Sequence, residues 1–486
     1  MTKLNKKLPR IIIINPPIRL NDKPRHIPHG LAILANVIRK KTGITPTFID
    51  ANAHRYTKTE LKSILNSMPF DIVLMGGLIP VYRVIVEYAG IIKAINREAI
   101  VIAGGSVAMS VPEVLLRHSN VDIVCAGEGE KAMVDLIEGL AGGGAFSELT
   151  NVKGFYFKID GEIICSGKQE LLQDLDIESD LPAYDLLPME IYLSNPVVGL
   201  GRDIDFISSR GCPYDCVFCY QPWGRNFRAH SADFIVEALV YLRKQYKVDF
   251  ISFQDDEFLM GKKRIYEFCE KIERNVPGLL WSCTGRVNLV DDDIVRRMKS
   301  AGCVSISYGF ESGSQGMLAS MGKNVTIAQM ENAVVLNRRY KMMLPISFMI
   351  GMPEEDVESC RKTVEFCVRN NIPLKSIMFA VPYPGTQLFE YALRTGRIKK
   401  DRIHDFVMSM GDARDFLINL TNVFTDTELI SKREEMISEV RSRIKPETEE
   451  SYMAKLTNLF GDMADDYFKD EALLKHRAEH GGIDIF

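Results

Sequence analysis

Hydrophobic positions in the first 140 residues fall into short continuous runs that alternate with segments of helical periodicity. The runs occur in "RIIIIN", "TPTFIDA", "FDIVLMGG", "AIVIAGGS" and "VDIVCAGEGE". Between the first two runs, "GLAILANVIRKKTG" places Leu31, Leu34, Ala35 and Ile38 on one helical face and ends at Gly43. Strands that are apolar throughout are typical of parallel sheets covered by helices on both faces. The pattern predicts an α/β fold with a parallel sheet in this region.

The last three strands of this region each end in a glycine-rich turn. The turns contain Gly76-Gly77, Gly104-Gly105 and Gly127-Glu128-Gly129, and the first strand ends in Asn15-Pro16-Pro17. Ligands of open α/β sheets bind at the carboxyl ends of the strands, where glycine lets the backbone approach a ligand closely. One such turn is ordinary, but this set predicts a broad cradle for a large, flat ligand. Because no G-x-G-x-x-G sequence with a following acidic residue occurs, a dinucleotide is not indicated.

A second alternation of strands and helices begins near residue 203. The preceding region contains a predicted hairpin that turns at Asp160-Gly161, then a linker punctuated by Pro182, Pro188 and Pro196. Six further strands are predicted in "DIDFISS", "DFISFQD", "LWSCTGR", "VSISYGFE", "LPISFMIG" and "SIMFAVPY". This pattern predicts a partial or complete (β/α) barrel, whose chemistry would lie at the carboxyl ends of the strands.

The C-terminal part of the chain is charged and helical. In "TDTELISKREEMISEVRSRI", Ile430, Ile437, Val440 and Ile444 are expected on one apolar stripe, and Pro446 ends the helix. We interpret this part as a helical region packed on the barrel. The predicted divisions of the chain are a ligand-binding sheet domain at 1–145, a linker with a hairpin at 146–200, the barrel at 201–395 and a helical C-terminal domain at 396–486.

Composition is typical of a globular protein. Of the 486 residues, 46% are hydrophobic and 26% are charged, and a formal net charge of −4 gives no support for nucleic-acid binding. No stretch approaches the roughly 20 apolar residues of a membrane-spanning helix, and the N-terminal apolar run is too short for a secretion signal. We therefore expect a cytoplasmic protein with no transmembrane segment and no nucleic-acid partner. Seven of the ten cysteines are scattered among apolar neighbours and are expected to be buried thiols.

The other three cysteines, Cys212, Cys216 and Cys219, lie within eight positions just after the first barrel strand. Structural zinc takes four ligands, usually as two pairs, and the nearest further candidate is the distant His230. A four-iron, four-sulfur cluster held by three thiolates keeps one iron free to coordinate a small molecule and to transfer an electron to it. The spacing favours such a cluster, with zinc as the alternative.

The sequence C-x3-C-x2-C followed by an aromatic residue, after the first strand of a βα barrel, resembles the signature of the radical S-adenosylmethionine (SAM) superfamily. The resemblance extends over roughly residues 200–395 and includes "GFESGS", "FMIGMPEE" and "PYPGT". It implies a 4Fe-4S cluster on the three cysteines, with SAM on the open iron as the source of a 5′-deoxyadenosyl radical. "FQDDEF" ends the second barrel strand with acidic residues, whereas most members of the superfamily have Gly-Gly-Glu at this place. Arg286 is expected to pair with the SAM carboxylate or with Glu311. The resemblance implies SAM contacts from Tyr220, Asp255, Asp256, Arg286, Glu311, Ser312, Ile350 and Gly351.

Residues 9–140 resemble the Rossmann-like cobalamin-binding domain that precedes the barrel in one branch of this superfamily. The resemblance rests on the Pro-Pro turn, "PHGLAILANVIRK", "FIDANA", "AGGS" and "AGEGE". Domains that place a histidine under cobalt carry D-x-H-x-x-G, whereas His54 here follows Asp50 at a different spacing. We therefore expect no protein histidine on cobalt. His26 and His29, near the Pro-Pro turn, are the alternatives to His54 as a histidine ligand. The resemblance implies cobalamin contacts from Asn15, Pro16, Pro17, Gly30, Gly76, Gly77, Gly104, Gly105, Gly127 and Glu128.

These resemblances imply a cobalamin-dependent radical SAM enzyme, most similar to the C-methyltransferase branch. Such an enzyme would form a carbon radical on its substrate, transfer a methyl group from methylcobalamin to an unactivated carbon and take electrons from an external donor. An enzyme that cyclises, contracts a ring or oxidises without methyl transfer is the alternative, and a non-catalytic cobalamin- or metal-binding module is a further one. The substrate stays open, with a protein or peptide side chain as one candidate.

Overall fold

The computed structural model describes residues 8–20, 22–142, 148–195, 201–411, 413–445, 449–461 and 464. Pro196 and Pro446, assigned above to the linker and to a helix end, lie outside this part of the chain.

The predicted apolar strands form an N-terminal sheet of seven strands in the order β2-β1-β3-β4-β5-β6-β7. The pairings among the first five strands are parallel, and those of the last two strands are antiparallel. The hairpin predicted at Asp160-Gly161 therefore extends this sheet beyond β5. The strands are β1 (Ile11–Asn15), β2 (Thr47–Asp50), β3 (Ile72–Gly76), β4 (Ile100–Gly104), β5 (Ile123–Cys125), β6 (Phe155–Ile159) and β7 (Glu162–Cys165).

Helices cover both faces of the N-terminal sheet, which explains its continuous apolar strands. Ile12 and Ile14 belong to one buried cluster, whereas Ile11 and Ile13 belong to another on the opposite face. Gly43, with a φ of 73°, caps the first helix as predicted. The helices are α1 (His29–Thr42), α2 (Ala51–His54), α3 (Lys58–Asn66), α4 (Tyr82–Ile95), α5 (Gly105–Ser110), α6 (Pro112–His118), α7 (Gly129–Ala141), α8 (Leu175–Glu178) and α9 (Met189–Leu193).

The second sheet confirms the prediction of a βα barrel and shows that the barrel is partial. Six parallel strands follow in the order β8-β11-β12-β13-β14-β15, with no pairing between β8 and β15 among the residues described. A separate two-stranded ribbon, β9–β10, lies directly after β8. The strands are β8 (Asp203–Phe206), β9 (Ser209–Arg210), β10 (Arg228–Ala229), β11 (Phe250–Phe253), β12 (Leu280–Gly285), β13 (Cys303–Glu311), β14 (Ile346–Ile350) and β15 (Met378–Phe379).

The two faces of the barrel sheet differ in character. Phe253 and Trp281 pack against Phe268 on the helical side, with ring centroids 5.3–5.8 Å apart. Because side chains alternate along a strand, the opposite, concave face carries the paired residues Ser252 and Ser282. The covering helices are α10 (Ala232–Tyr246), α11 (Lys262–Asn275), α12 (Asp292–Ser300), α13 (Gln315–Ser320), α14 (Ile327–Arg339) and α15 (Val357–Arg369).

Of the C-terminal helices, α18 packs on the barrel as predicted, whereas α17 packs against α4 and α6 of the N-terminal part. Leu429, Met436 and Val440 of α18 are buried in the barrel core, whereas Ile430 of the predicted stripe is exposed. Val440 of the predicted stripe is buried and Ile437 and Ile444 pack against the core, so the prediction is wrong only for Ile430, whose neighbour Leu429 is buried instead. None of the helices in the described ranges is long and apolar enough to span a membrane. The helices are α16 (Gln387–Arg394), α17 (Ile403–Ser409), α18 (Asp426–Arg443) and α19 (Glu449–Phe460).

Candidate active site

The three clustered cysteines lie in residues 211–227, the cysteine loop, which the β9–β10 ribbon closes at its base. Arg210 of β9 pairs with Arg228 of β10 in this ribbon. Gly211 has a φ of 85°, and a Cβ at this position would overlap the carbonyl oxygen of Asn226. Glycine is therefore required at position 211 for the two ends of the loop to meet.

The environment of the three thiols favours a thiolate at Cys216, whereas burial raises the pKa of Cys212 and the hydrogen bond with Cys216 raises the pKa of Cys219. Cys216 is buried, Cys212 is partly buried and Cys219 is exposed. A hydrogen bond from Cys219 lowers the pKa of Cys216 to about 6, and the cationic Lys323 and Arg286 act in the same direction. Arg286 Nη1 lies 3.4 Å from Cys216 Sγ. Because thiolates are the form that binds metal, Lys323 and Arg286 favour metal binding at Cys216.

The loop fits an iron–sulfur cluster better than zinc. The described ranges contain no group of three or more His, Cys, Asp or Glu side chains close enough to share one metal ion. The loop offers three thiols, whereas structural zinc takes four protein ligands. A cubane cluster instead takes one thiolate on each of three separate irons, which suits the three thiols of the cysteine loop and their cationic neighbours.

Glu311 forms a buried ion pair at the end of β13. Its carboxylate accepts a hydrogen bond from Lys323 Nζ at 2.9 Å, and both residues are at most 8% exposed. A Cβ on Gly309 would overlap the Glu311 carboxylate, so a glycine makes room for the pair. The expected pairing of Arg286 with Glu311 is not found, because Lys323 takes that position. Arg286 instead stacks over Tyr214 at 3.7 Å and donates to the backbone carbonyl of Lys323.

The two aspartates after β11 have different surroundings. Asp255 is buried and accepts hydrogen bonds from the backbone N–H groups of Ser208 and Ser209 at 2.6 and 2.9 Å. Its carboxylate therefore fixes the connection between β8 and β9. Asp256 is exposed and accepts from the Gly211 N–H at 3.2 Å. Of the two predicted SAM contacts, Asp256 is the one whose side chain is accessible to a ligand.

Two charged residues of the site were missed by sequence reasoning. Burial raises the pKa of Glu257 to about 7, and its charge acts on Cys212 of the cysteine loop. Glu257 ends the acidic run after β11, and that run was the available signal. Lys323 follows α13 in a turn that no sequence pattern marks.

The other predicted SAM residues surround the same end of the barrel. Ser312 is buried and its hydroxyl bonds to a threonine of α15. The side chain of Ile350 is in the barrel core, and Gly351 follows with a φ of 100°. Burial raises the pKa of Tyr220 to about 12, and its ring lies against Gly385 of "PYPGT". These placements leave the contacts with SAM as predictions.

The glycine turns after β3 and β4 touch each other through their backbones. A Cβ on Gly105 would lie 2.8 Å from the carbonyl oxygen of Gly77, and a Cβ on Gly76 would lie 3.1 Å from that of Gly104. Glycine is thus required for this contact. Because Gly77 and Gly105 are both exposed, the edge presents backbone without side chains, which fits the flat face of a corrin. We call Gly76–Gly77 and Gly104–Gly105 the glycine edge.

The other predicted cobalamin residues beside β1 lie in a more enclosed environment. Asn15 Nδ2 donates to Asp50 Oδ1 at 2.8 Å, and Pro16 and Pro17 are buried. Gly30 is exposed in the first turn of α1. These residues therefore support the β1 end of the edge, with Gly30 accessible to a ligand.

The candidate histidines have partners within the protein. His26 Nδ1 and His29 Nε2 lie 3.1 and 3.6 Å from Asp205 Oδ2 on β8. The ring of His54 stacks on Tyr56 with centroids 5.0 Å apart. His26 and His29 thus face the barrel strand that carries Asp205.

Glu128, predicted to contact cobalamin, is almost fully buried. Oε1 accepts from Arg210 at 2.7 Å, and Oε2 accepts from Arg228 at 2.7 Å. Both carboxylate oxygens are therefore engaged within the protein, whereas Gly127 beside it is partly exposed. Any contact of Glu128 with a ligand would have to come from its backbone.

Comparison with known families supports both halves of this site. Residues 206–367 match the radical SAM superfamily, and residues 17–137 match the B12 binding domain. An uncharacterized methyltransferase of Pyrococcus horikoshii is 32% identical over 370 residues, which cover 75% of this chain and 78% of that protein. An anaerobic magnesium-protoporphyrin IX monomethyl ester cyclase of Rubrivivax gelatinosus is 26% identical over 75% of this chain and 66% of its own length.

Two solved structures share the fold. The radical SAM methyltransferase TsrM of Kitasatospora setae, solved with tryptophan substrate and a SAM analog, superposes with a TM-score of 0.72 at 14% identity, covering 97% of this chain and 99% of TsrM. The cobalamin-dependent SAM radical enzyme OxsB superposes with a TM-score of 0.65 at 18% identity, covering 92% of this chain and 63% of OxsB. Together with the matched families and the Pyrococcus relative, these findings place the chain in the family of cobalamin-dependent radical SAM methyltransferases.

Proposed function

We propose that this enzyme methylates an unactivated carbon of its substrate. The observation that supports the proposal is the contact between the cysteine loop and the turn after β5, the two segments that we predict to carry the cofactors. The base of the cysteine loop is held against the turn after β5, next to the glycine edge, by the Glu128–Arg210 ion pair at 2.7 Å. An enzyme that makes a carbon radical and then delivers a methyl group to it needs the source of the radical and the source of the methyl group next to the same substrate carbon.

The residues divide into two binding groups. Bound together, the cluster with SAM supplies a hydrogen-abstracting carbon radical, and methylcobalamin supplies the methyl group. Cys212, Cys216 and Cys219 would hold the cluster, and an external electron donor would reduce it. Asp256 presents an exposed carboxylate that suits the SAM ammonium. The glycine edge would hold the corrin without a histidine ligand.

The concave face of the barrel suggests the character of the substrate. Ser282 and Ser307 are partly buried there, and Ser347 is exposed on β14. Hydroxyls at these positions can donate and accept hydrogen bonds, which suits the amide groups of a protein or peptide. We therefore propose a polar acceptor, with a peptide side chain as the first class to test.

A second candidate is supported by the cyclase relative at 26% identity. In this alternative, the enzyme forms the same substrate radical and closes a ring or oxidises the substrate without transferring a methyl group. The residues that hold the cofactors would be the same, so the products must distinguish the two reactions.

Anaerobic turnover with SAM labelled in its methyl group tests the proposal. The reconstituted enzyme is incubated with a reductant and a peptide digest of its host proteome, and the products are analysed by mass spectrometry. Methyl transfer predicts labelled peptides together with S-adenosylhomocysteine and 5′-deoxyadenosine. The alternative predicts 5′-deoxyadenosine without S-adenosylhomocysteine or label, and labelled products outside the peptide fraction would overturn the peptide assignment.

Two cysteine variants control this experiment. Cys216→Ala removes a cluster ligand and is expected to abolish 5′-deoxyadenosine and labelled product together. Cys367→Ala removes a buried thiol of α15 outside the cysteine loop, and is expected to retain both.

A further inference from the structure

A single carboxylate holds both ends of the cysteine loop. Arg210 immediately precedes the loop and Arg228 immediately follows it. Arg210 Nη1 donates to Glu128 Oε1, and Arg228 Nη1 donates to Glu128 Oε2, each at 2.7 Å. Residues 210 and 228 also face each other across the β9–β10 ribbon. Glu128, which is not part of the loop, therefore holds the two residues at its base, Arg210 and Arg228, on one carboxylate.

Glu128 belongs to the other cofactor site by its position in the chain. It follows β5 and precedes α7, and β5 pairs with β4, which ends in Gly104. The turn that carries Glu128 is thus next to the glycine edge. A displacement of Glu128 would move the cysteine loop relative to that edge.

Neighbouring groups fix the arginines in this position. Arg210 Nη2 also donates to Glu130 Oε1 at 2.5 Å and to Ser179 Oγ at 3.0 Å. The guanidinium lies over the ring of Trp223 at 5.2 Å, inside the cysteine loop. Arg228 donates further to the Leu172 carbonyl at 2.6 Å. These further partners fix the orientation of both guanidinium groups, that of Arg210 and that of Arg228, at the Glu128 carboxylate.

Burial makes this contact sensitive to a change of charge. Glu128 is 1% exposed, and Arg210 and Arg228 are 7% and 9% exposed. Removing one partner of such a group leaves buried charge uncompensated, which costs far more than the loss of an exposed ion pair. An amide at position 128 could accept from one arginine but would turn its N–H groups toward the other.

We infer that Glu128 is a positioning residue that sets the separation and orientation of the iron–sulfur cluster relative to the cobalamin. The inference rests on the proposed cofactor positions, but the contact itself exists within the protein. It can therefore be tested both without cofactors and with them.

The first measurement is hydrogen exchange of the apoprotein. Glu128→Gln is expected to accelerate amide exchange in residues 211–227 by about tenfold or more, because the loop loses its buried anchor. Asp122→Asn is the matched control. Asp122 is also buried and pairs with Lys93 at 2.7 Å, but it lies at the opposite end of β5 from Glu128. This control is expected to leave exchange in 211–227 unchanged.

The second measurement uses the dipolar interaction between cob(II)alamin and the reduced cluster in electron paramagnetic resonance. The wild type and Asp122→Asn are expected to give one narrow distribution of distances, whereas Glu128→Gln gives a broad or shifted one. A purely structural role would lower the unfolding temperature of both variants without moving this distribution.

The outcomes separate the two levels of the inference. Unchanged exchange in 211–227 and an unchanged distance distribution in folded Glu128→Gln would overturn the positioning role. Faster exchange in the apoprotein with no dipolar interaction in the wild type would support the anchoring of the loop and overturn the cofactor positions. If Glu128→Gln does not fold, Glu130→Gln removes one of the two carboxylates from Arg210 and decides the question by the same two measurements.

Discussion

At the scale of single residues, Lys323 compensates the charge of the largely buried carboxylate of Glu311. The Lys323→Met variant would leave Glu311 buried without its ionic partner, so we expect a loss of about 3–5 kcal/mol in the free energy of unfolding. Urea unfolding of the apoprotein measures this loss. Lys262→Met is the control, because Lys262 pairs with Asp291 on the exposed surface, where the loss of an ion pair has little effect on stability. Equal losses in the two variants would contradict the importance of burial for the Glu311 pair.

Glu355 introduces a pH dependence into the folded state. Burial raises its pKa from 4.5 to about 7, although Ser359 donates a hydrogen bond to Oε1 at 2.8 Å. Because the pKa is higher in the folded chain, stability present below pH 4.5 is lost as the pH rises to about 7, by about 3 kcal/mol. Glu355→Gln removes this loss, so the variant should gain on the wild type between pH 5 and pH 8.

The measurement is the urea midpoint at pH 5 and at pH 8 for the wild type and for Glu355→Gln. Glu354→Gln provides the control, because Glu354 is exposed and its variant should follow the pH dependence of the wild type. A Glu355→Gln profile parallel to that of the wild type would contradict the raised pKa.

At the scale of elements, the β9–β10 ribbon depends on one glycine. Gly211→Ala would drive a Cβ into the carbonyl of Asn226 at the base of the cysteine loop. We expect the variant to fold but to bind its cluster at least about tenfold more weakly, the effect typical of displaced ligand supports. Iron content after anaerobic reconstitution under limiting iron measures the difference.

The control for this variant lies in the same loop. Gly224 also has a positive φ, of 67°, but a Cβ there would meet nothing within 4 Å. Gly224→Ala should therefore cost only the backbone strain of about 1–2 kcal/mol and keep its iron. Similar iron loss in both variants would show that strain alone, rather than closure of the ribbon, disturbs the loop.

The sequence predicted strands well where burial of both faces requires an uninterrupted run of apolar residues. The run Ile11–Asn15 became a strand because both of its faces are covered, and the Asp160-Gly161 turn was visible from local chemistry alone. The β9–β10 ribbon was not predicted, because two-residue strands of serine, arginine and alanine carry no periodicity. The burial of Ile430 on α18 was predicted wrongly, because Leu429 and Ile430 are adjacent and only the position of α15 decides which of them is buried.

At the scale of the whole molecule, the sequence identified the cofactor-binding segments but not the contacts between them. The three cysteines could be recognised in the sequence because they are only three or four positions apart and lie in one loop. Glu128 and Arg210 are 82 positions apart, and periodicity has no information at that range. For the same reason the sequence offered Glu311 as one of two possible partners of Arg286, whereas the fold brings Lys323 to Glu311.

A second contact between the two sheets can be tested by calorimetry. Asp205 on β8 accepts from the Ile27 N–H at 3.2 Å and lies beside His26 and His29, which all belong to the N-terminal part. Asp205→Asn should weaken this contact by about 1–3 kcal/mol, so that the N-terminal sheet unfolds before the barrel and the apoprotein shows two transitions. Asp203 is the matched control on the same strand.

Asp203 is equally buried, but its carboxylate accepts from Ser252 within the barrel sheet, at 3.1 Å. Asp203→Asn should therefore lower the temperature of a single transition without dividing it. The same single transition in both variants would mean that Asp205 stabilises the barrel alone. Two transitions in Asp205→Asn only would show that this polar contact couples the two halves in addition to the apolar packing of Ile27, Ala32 and Ala53, which the change leaves intact.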